Sequence, residues 1–482
     1  MRNVFLLLGL ALTFTLTAQV ELQEASLLGS WNDPNLVGSS AYNNTYNEVW
    51  GLAVGGREYA VIGSTAGTHF LDVTNPDDIR QMDFVAGGTS GPSIIHRDYH
   101  HYGCYLYAVA DEGSTSTLQI IDISTLPDSV SVVYDSGESL QRSHNIFIDS
   151  LQAKLYCLAA FGGTAGGSAL RIYDISEPTT PVYLAEYSNF GGLSVGHVHD
   201  AYVHDGLAYL NCGYSGFAMV DFTDPMDPQT LGIMQDYSFS GYNHSGWPSN
   251  DGQYYYLGDE NHGYPIKVID VSDPTDLLDI GVLAAPNPEL SQTIPHNQIV
   301  ACNYLYVSYY YDGLMVYDIT DPSTPVPAYY YDTSDWVFDN NYRGAWGVYP
   351  FLPSGNILVS DMQRGLFVLR GPEAECYQQT ESVLNCGGIV NSTEEPAWAS
   401  EISIFPQPAT TALNLRLPQN TTTTEAQLRL LNLSGQVVHT FTTTSLDAGN
   451  ISLALPALPN GMYLLDIQAK EWQMTHKVII QH

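Results

Sequence analysis

Basic residues are scarce in this sequence. Lys and Arg number 15 against 51 Asp and Glu, so the net charge is −36 over 482 residues. A field of that sign repels phosphate backbones and anionic membrane surfaces, which excludes nucleic acid as a partner. Charged residues of any kind make up only 14%, against roughly 25% in ordinary globular domains. After residue 18 no apolar run is long enough to span a bilayer, so the mature chain has no transmembrane segment. Catalytic signatures are missing too: there is no GxSxG, P-loop, HExxH or dinucleotide fingerprint. The six cysteines include no CxxC and no zinc-finger spacing. What is abundant is Tyr (34) and Gly (42), the composition of short strands joined by turns.

The first residues form an export signal. Arg2 opens it, an apolar run follows from Val4 to Leu16, and Thr17-Ala18 supplies a small-residue cleavage site. The run is shorter than the roughly 18 to 20 residues a membrane span needs, so residues 1–18 read as a cleaved signal peptide. Export exposes the cysteines to oxidation, and Cys376 and Cys386, flanking a short polar segment, are the pair expected to bridge. Free or differently paired thiols are the alternative. Cys104, Cys157, Cys212 and Cys302 read as small buried apolar groups.

A repeat dominates the next part of the chain. HFLDVTNP, LQIIDISTLP, LRIYDISEP, FAMVDFTDP, IKVIDVSDP and LMVYDITDP share an apolar run, an Asp, a Ser or Thr, and a Pro. LFVLRGP is a seventh, degenerate copy. The aligned positions are Asp72, Asp122, Asp174, Asp221, Asp270, Asp318 and Arg370, spaced 47 to 52 residues apart. A steady period of that size means a solenoid, propeller or array. Around Asp221 four strands are expected: His199–Val203, Ala208–Asn211, Phe217–Phe222 and Leu231–Gln235. Four short strands between Gly, Asp and Pro turns make one blade of a β-propeller. The Asp then belongs to turn chemistry, capping backbone N–H groups before Pro stops the third strand.

The seventh copy supplies only three strands, near Trp346–Tyr349, Asn356–Ser360 and Leu366–Arg370. Ala25 to Asp33 resembles the fourth strands of other copies, so the N-terminal segment is expected to complete the last blade and remove an open edge. The expected fold is all-β: a seven-bladed propeller over residues 19–372, a polar linker over 373–400, and a Thr-rich β-sandwich over 401–482.

Histidines recur at one point of the repeat. His100, His199 and His296 each stand 22 residues before their Asp, as does Trp50, while His144 and His244 stand 30 and 26 before theirs. The expected ring is Trp50, His100, His144, His199, His244, His296 and Trp346, converging at one mouth of the channel. Loops between second and third strands share that face and carry Asp111-Glu112, Asp259 to His262, Asp312 and Asp361. Imidazoles and carboxylates at one opening suit a metal or polar ligand, with His197, His199, Asp259, Glu260 and His262 as candidate metal ligands. Zinc at this mouth, or calcium on the acidic surface, is the divalent metal such residues permit, although no loop has calcium-binding spacing. The same histidines also suit a purely architectural role, pinning the backbone of a neighbouring blade. No nucleophile is set up for covalent catalysis. The leading expectation is a binding or scaffold module with a protein or glycan ligand, and the alternative is a metal-dependent hydrolase or lyase.

Two resemblances extend this reading. The cores LQIID, LRIYD and LMVYD, with EVWGLAVGGREYAVIGSTAGTHFLDVTNP and HRDYHHYGCYLYAVADEG, resemble LVIVD-repeat proteins of the choice-of-anchor B family over roughly residues 25 to 372. That resemblance implies a surface-displayed propeller and no defined activity. The tail is similar to the C-terminal sorting domain of type IX secretion in Bacteroidota, through Ile404–Ala409, Asn432–Val438, Leu458–Tyr463 and Lys477–Ile479. Gln407 stands where that family usually has Asn. The resemblance implies type IX machinery as partner and cleavage of the tail. The propeller would then be secreted or held at the outer-membrane cell surface.

Overall fold

The structure is a computed structural model. It describes residues 22–163, 166–283, 294–334, 341–372, 383–384 and 386, and in the tail 403–423, 426–431, 437–441, 446–456, 458, 461–469 and 473–480. Residues 1–18, expected to be a signal peptide, Cys376 and most of the expected linker over 373–400 lie outside the described residues.

The unit around Asp221 shows how the repeat folds. Its strands are Asp200–His204, Leu207–Asn211, Phe217–Asp221 and Gln229–Met234, paired antiparallel in chain order. Asp205 and Gly206, both at positive φ, make the first tight turn. Phe217 and Met219 on one face and Ala218 and Val220 on the other are all buried, which is why the third strand is apolar on both faces. The Asp of the motif caps the turn that follows. Asp221 Oδ1 accepts the Thr223 N–H at 2.8 Å, and Asp72, Asp122, Asp174, Asp270 and Asp318 do the same for the residue two positions on.

Residues 23–384 build seven such sheets. Their first strands are Tyr46–Val54, Arg97–Tyr102, Asn145–Asp149, Asp200–His204, Asn243–Pro248, Gln298–Ala301 and Ala345–Tyr349. Each first strand touches the next, and the seventh touches the first, so the sheets close in a ring. Apolar packing follows the same ring. Seven buried clusters fill the seven gaps between neighbouring sheets. In the closing gap Tyr349, Leu358 and Val368 meet Tyr46, Ala60 and Leu71. Each fully buried Leu, Val or Ile contributes about 1.5–3 kcal/mol, so these gaps carry the cohesion of the ring. This is the arrangement of a β-propeller. Every sheet also has a register shift between its third and fourth strands, which adds twist toward the rim.

The N-terminal segment closes the last sheet. Leu27–Trp31 pairs antiparallel with Gly365–Arg370, from Leu27 opposite Leu369 to Trp31 opposite Leu366. Just before it, Gln23 and Glu24 add in parallel to the sixth sheet beside Tyr329 and Tyr330.

The cysteine pairing differs from expectation. Cys386 bonds to Cys104, across 282 residues, and not to Cys376. The reason lies in the chain path: Val383–Leu384 returns to the propeller, pairs with Ala53 and Val54, and brings Cys386 onto the second sheet's first turn. Cys302 is disulfide-bonded as well. Cys157 and Cys212 are the buried free thiols.

In the tail a three-stranded sheet (Ser403–Phe405, Ala412–Thr423, Leu446–Ala454) lies with a four-stranded one (Ala426–Leu431, Val437–Phe441, Gly461–Ala469, Gln473–Ile480). Leu413, Leu415 and Leu453 of the first meet Leu428, Leu465 and Val478 of the second in one core, a β-sandwich. Among the described residues the only helical piece is the 3-10 turn Pro76–Asp78, and no helix is long and apolar enough to cross a membrane.

Candidate functional site

The entrance of the first strands carries a closed belt of six aromatic rings. Centroid distances run His96–His144 4.8 Å, His144–His199 4.1 Å, His199–His244 3.9 Å, His244–His296 4.5 Å, His296–Trp346 4.4 Å and Trp346–His96 5.3 Å. His144, His199, His244, His296 and Trp346 are therefore together, as the repeat arithmetic anticipates. Trp50 and His100 are not part of this belt. They lie further along their strands, in a second belt: Trp50, His100, Phe147, Tyr202, Trp247, Phe351 and Tyr349. His96 takes the place given to His100. Counting could have found it, since His96 stands 26 residues before Asp122, the same offset as His244 from Asp270.

Between the belts sits a layer of acids that the repeat reading did not pick out: Glu48, Asp98 and Asp200. Burial raises all three pKa values; Asp98 and Asp200 raise that of Glu48 further, and Asp200 that of Asp98. Asp98 is pushed up to about 8 and Asp200 to about 7. Glu48 is hydrogen-bonded across the channel to the start of the sixth sheet, Asp98 to the next sheet, and Asp200 within its own strand. Asn297 Nδ2 donates to Glu48 at 2.7 Å, the Ile146 N–H to Asp98 at 2.7 Å, and the Ala201 N–H to Asp200 at 2.8 Å.

Backbone groups orient the upper belt. His199 Nδ1 lies 3.1 Å from the His244 carbonyl oxygen, and His296 Nδ1 lies 2.6 Å from that of Trp346. A carbonyl only accepts, so both rings carry their proton on Nδ1 and leave Nε2 as a bare lone pair. Burial, first of all, holds the pKa of both histidines low, His296 at about 3. His144 is oriented by a carboxylate, with Nδ1 2.9 Å from Asp111 Oδ2. His96 pairs with Glu112, whose carboxylate also accepts the Ile95 and His96 N–H groups at 3.1 Å. Burial works against the charge on His96, yet Glu112 raises its pKa above the ordinary value.

The loops after the second strands do reach this face, as topology requires. Glu260 Oε2 lies 3.8 Å from His244 Nε2, and Glu260 Oε1 accepts the Tyr310 hydroxyl at 2.6 Å. Burial raises the Glu260 pKa to about 7. Two sets of donor atoms gather within 4.8 Å: His96, Asp111 and His144, and His244, Glu260 and His296. Of the residues singled out as metal ligands, only Glu260 falls in either set. Asp259 is engaged elsewhere: it is fully buried against Lys267 Nζ at 2.5 Å and accepts the Tyr237 hydroxyl and the Gly241 N–H. His197 stacks beside His144 and His199 at 5.5 and 5.3 Å, and His262 lies against Tyr342 at 5.6 Å.

Tyrosines rim the mouth. Tyr42, Tyr342 and Tyr310 pack edge to face toward Trp346 and His296, and Tyr242 meets His199. Tyr214, edge-on to Tyr242 at 5.0 Å, is 82% exposed.

Comparison with known families agrees with both halves of the chain. The LVIVD repeat family matches residues 250–281 and 299–333, the fifth and sixth repeats. The secretion system C-terminal sorting domain matches residues 403–481, the whole sandwich. The chain thus carries LVIVD repeats and a C-terminal sorting domain. That tail directs export through the type IX machinery to the cell surface or the extracellular space. No curated protein matches the chain.

Proposed function

We propose that the propeller, bounded as residues 19–372, is the exported working part and acts as a binding module that takes its ligand at the histidine-lined mouth. The observation that carries this reading is the closed belt of five imidazoles and one indole beneath a tyrosine rim. Tyrosine offers a flat apolar face with a polar tip, which suits a glycan or a protein loop. The test is capture by the full chain on glycan and surface-protein arrays. Tyr214→Ala and Tyr342→Ala should each weaken capture at least ~10-fold while leaving thermal stability nearly unchanged. Undiminished capture by both variants places the ligand elsewhere and sinks the reading.

Glu260 favours a second reading, a metal-dependent hydrolase or lyase. A carboxyl with its pKa near 7 beside bare imidazole nitrogens has the properties of a general base. Turnover of a polar substrate that vanishes in Glu260→Gln would select this reading over simple binding.

A further inference from the structure

We infer that His244, Glu260 and His296 form a binding site for one divalent transition metal of the zinc type. The inference deepens the binding reading above and rests on the same mouth.

Three features of the geometry lead there. First, the donor atoms of these residues lie within 4.8 Å of one another, and His244 Nε2 to Glu260 Oε2 is 3.8 Å. Ligands about 2.0–2.2 Å from a tetrahedral zinc stand roughly 3.3–3.6 Å apart, so His244 and Glu260 need approach by only a few tenths of an ångström and no other pair by more than about 1.5 Å. Second, the donors are the right ones and are available. His296 Nε2 is bare because Nδ1 donates to the Trp346 carbonyl. Glu260 uses Oε1 for Tyr310 and turns Oε2 to His244. Third, His296 and Glu260 carry the supporting hydrogen bonds that metal sites need, while His244 Nδ1 is buried without a partner. A ligating histidine holds its second nitrogen on a carbonyl or carboxylate, and a ligating carboxylate is itself hydrogen-bonded. Two histidines and a glutamate leave a fourth position open, toward the tyrosine rim, for water or a ligand atom.

The second gathering of donors, His96, Asp111 and His144, is weaker. Asp111 is already the partner of His144 Nδ1, and Glu112 holds His96 Nδ1, so its carboxylates orient imidazoles. The neighbouring His199 is oriented like His296, by the His244 carbonyl, and stands beside the site at 3.9 Å between ring centroids.

The test is titration of the full chain with Zn²⁺, followed by elemental analysis after dialysis, and with Co²⁺, whose visible spectrum reports coordination number. One metal per chain with a four-coordinate cobalt spectrum is expected. His296→Asn keeps a donor for the Trp346 carbonyl and removes Nε2, and Glu260→Gln keeps the Tyr310 contact and removes the charge. Each should lower zinc affinity more than ~100-fold, whereas Tyr310→Phe, which removes only a supporting bond, should lower it about 10-fold. Failure of the wild-type chain to take up stoichiometric zinc, or uptake undiminished in both His296→Asn and Glu260→Gln, overturns the assignment. If array capture persists in a chain that takes up no zinc, the metal falls and the binding reading stands. Loss of both brings both down.

Discussion

The Tyr107 hydroxyl donates to the carbonyl oxygen of Pro178 at 2.6 Å, joining the second sheet to the turn that ends the third strand of the next. Tyr187 makes the same bond to Pro225 at 2.7 Å, and Tyr256 to Pro322 at 3.0 Å. The proline of the repeat thus offers a fixed carbonyl to a neighbouring sheet as well as ending its own strand. Tyr107→Phe should lower stability by about 1 kcal/mol, the net worth of one hydrogen bond, read as a fall in the chemical-denaturation midpoint. No change in midpoint would show that the contact is incidental.

Lys267 and Asp259 are both fully enclosed, with Nζ and Oδ2 2.5 Å apart. Burial lowers the Lys267 pKa, although Asp259 opposes that shift. Lys267→Met leaves Asp259 without its counter-charge and should cost about 3–5 kcal/mol. Lys267→Met combined with Asp259→Asn should recover part of that loss. Equal instability of the single and double variants would argue against charge as the cause.

Stability should fall as pH rises from about 6.5 to 8. Asp98 and Asp200, raised to about 8 and 7 chiefly by burial, keep protons that the unfolded chain releases near pH 4. Each therefore favours the folded state fully below the unfolded value, and loses that advantage as pH climbs to its folded pKa. Buried histidines act oppositely. His100 and His296, held near pH 3, and His101, held near pH 4, destabilise the fold as pH drops below about 6.5, where the unfolded chain takes up protons. Above 6.5 the carboxylates act together with His96, whose raised pKa works in the same direction, at up to about 1.4 kcal/mol per pH unit for each proton released. Asp98→Asn should flatten the slope of unfolding free energy over pH 6.5–8. A wild-type slope of zero there would contradict the burial argument.

Breaking the Cys104–Cys386 bond should free the returning segment more than it unfolds the propeller. Val383 and Leu384 add only two residues to the first sheet, and Leu384 and Cys386 pack against Trp50 and its neighbours. Cys386→Ser should speed proteolytic cleavage near residue 383 several-fold, read by mass spectrometry of timed digests. The seven-sheet core should resist the protease as before. An unchanged cleavage rate would mean that the strand pairing holds the segment without the bond.

Local chemistry was readable from the chain. The Asp-x-Ser/Thr-x-Pro turn acts within four residues, so its spacing alone located six turns, and the four strands expected around Asp221 lie within about two residues of those observed. The missing fourth strand of the last copy likewise pointed to Ala25–Asp33, and Leu27–Trp31 fills that place. The belt was only partly readable. His100 and Trp50 share an offset with His199, but the first two strands of the second sheet are each one residue longer than those of the fourth and the loop after them is two residues longer, which moves the belt position back to His96, and the first sheet has a register shift at Tyr46/Val49. Glu48, Asp98 and Asp200 were missed because an acid in a strand of a chain this acidic carries no signal until its neighbours are known. The Cys104–Cys386 bond spans the whole ring, and no local spacing encodes it.

The pairing of Leu27–Trp31 with Gly365–Arg370 has a consequence for the order of events during folding. Sheets two to five are each made from one short run of chain and can form as they emerge. The final sheet must wait until its two ends, more than three hundred residues apart, are both present. Until then the seventh sheet lacks its outer strand and Gly365–Arg370 is left as an exposed edge. Adding that strand is the slow, long-range step, and a chain trimmed at its beginning would keep the bare edge and be prone to self-association.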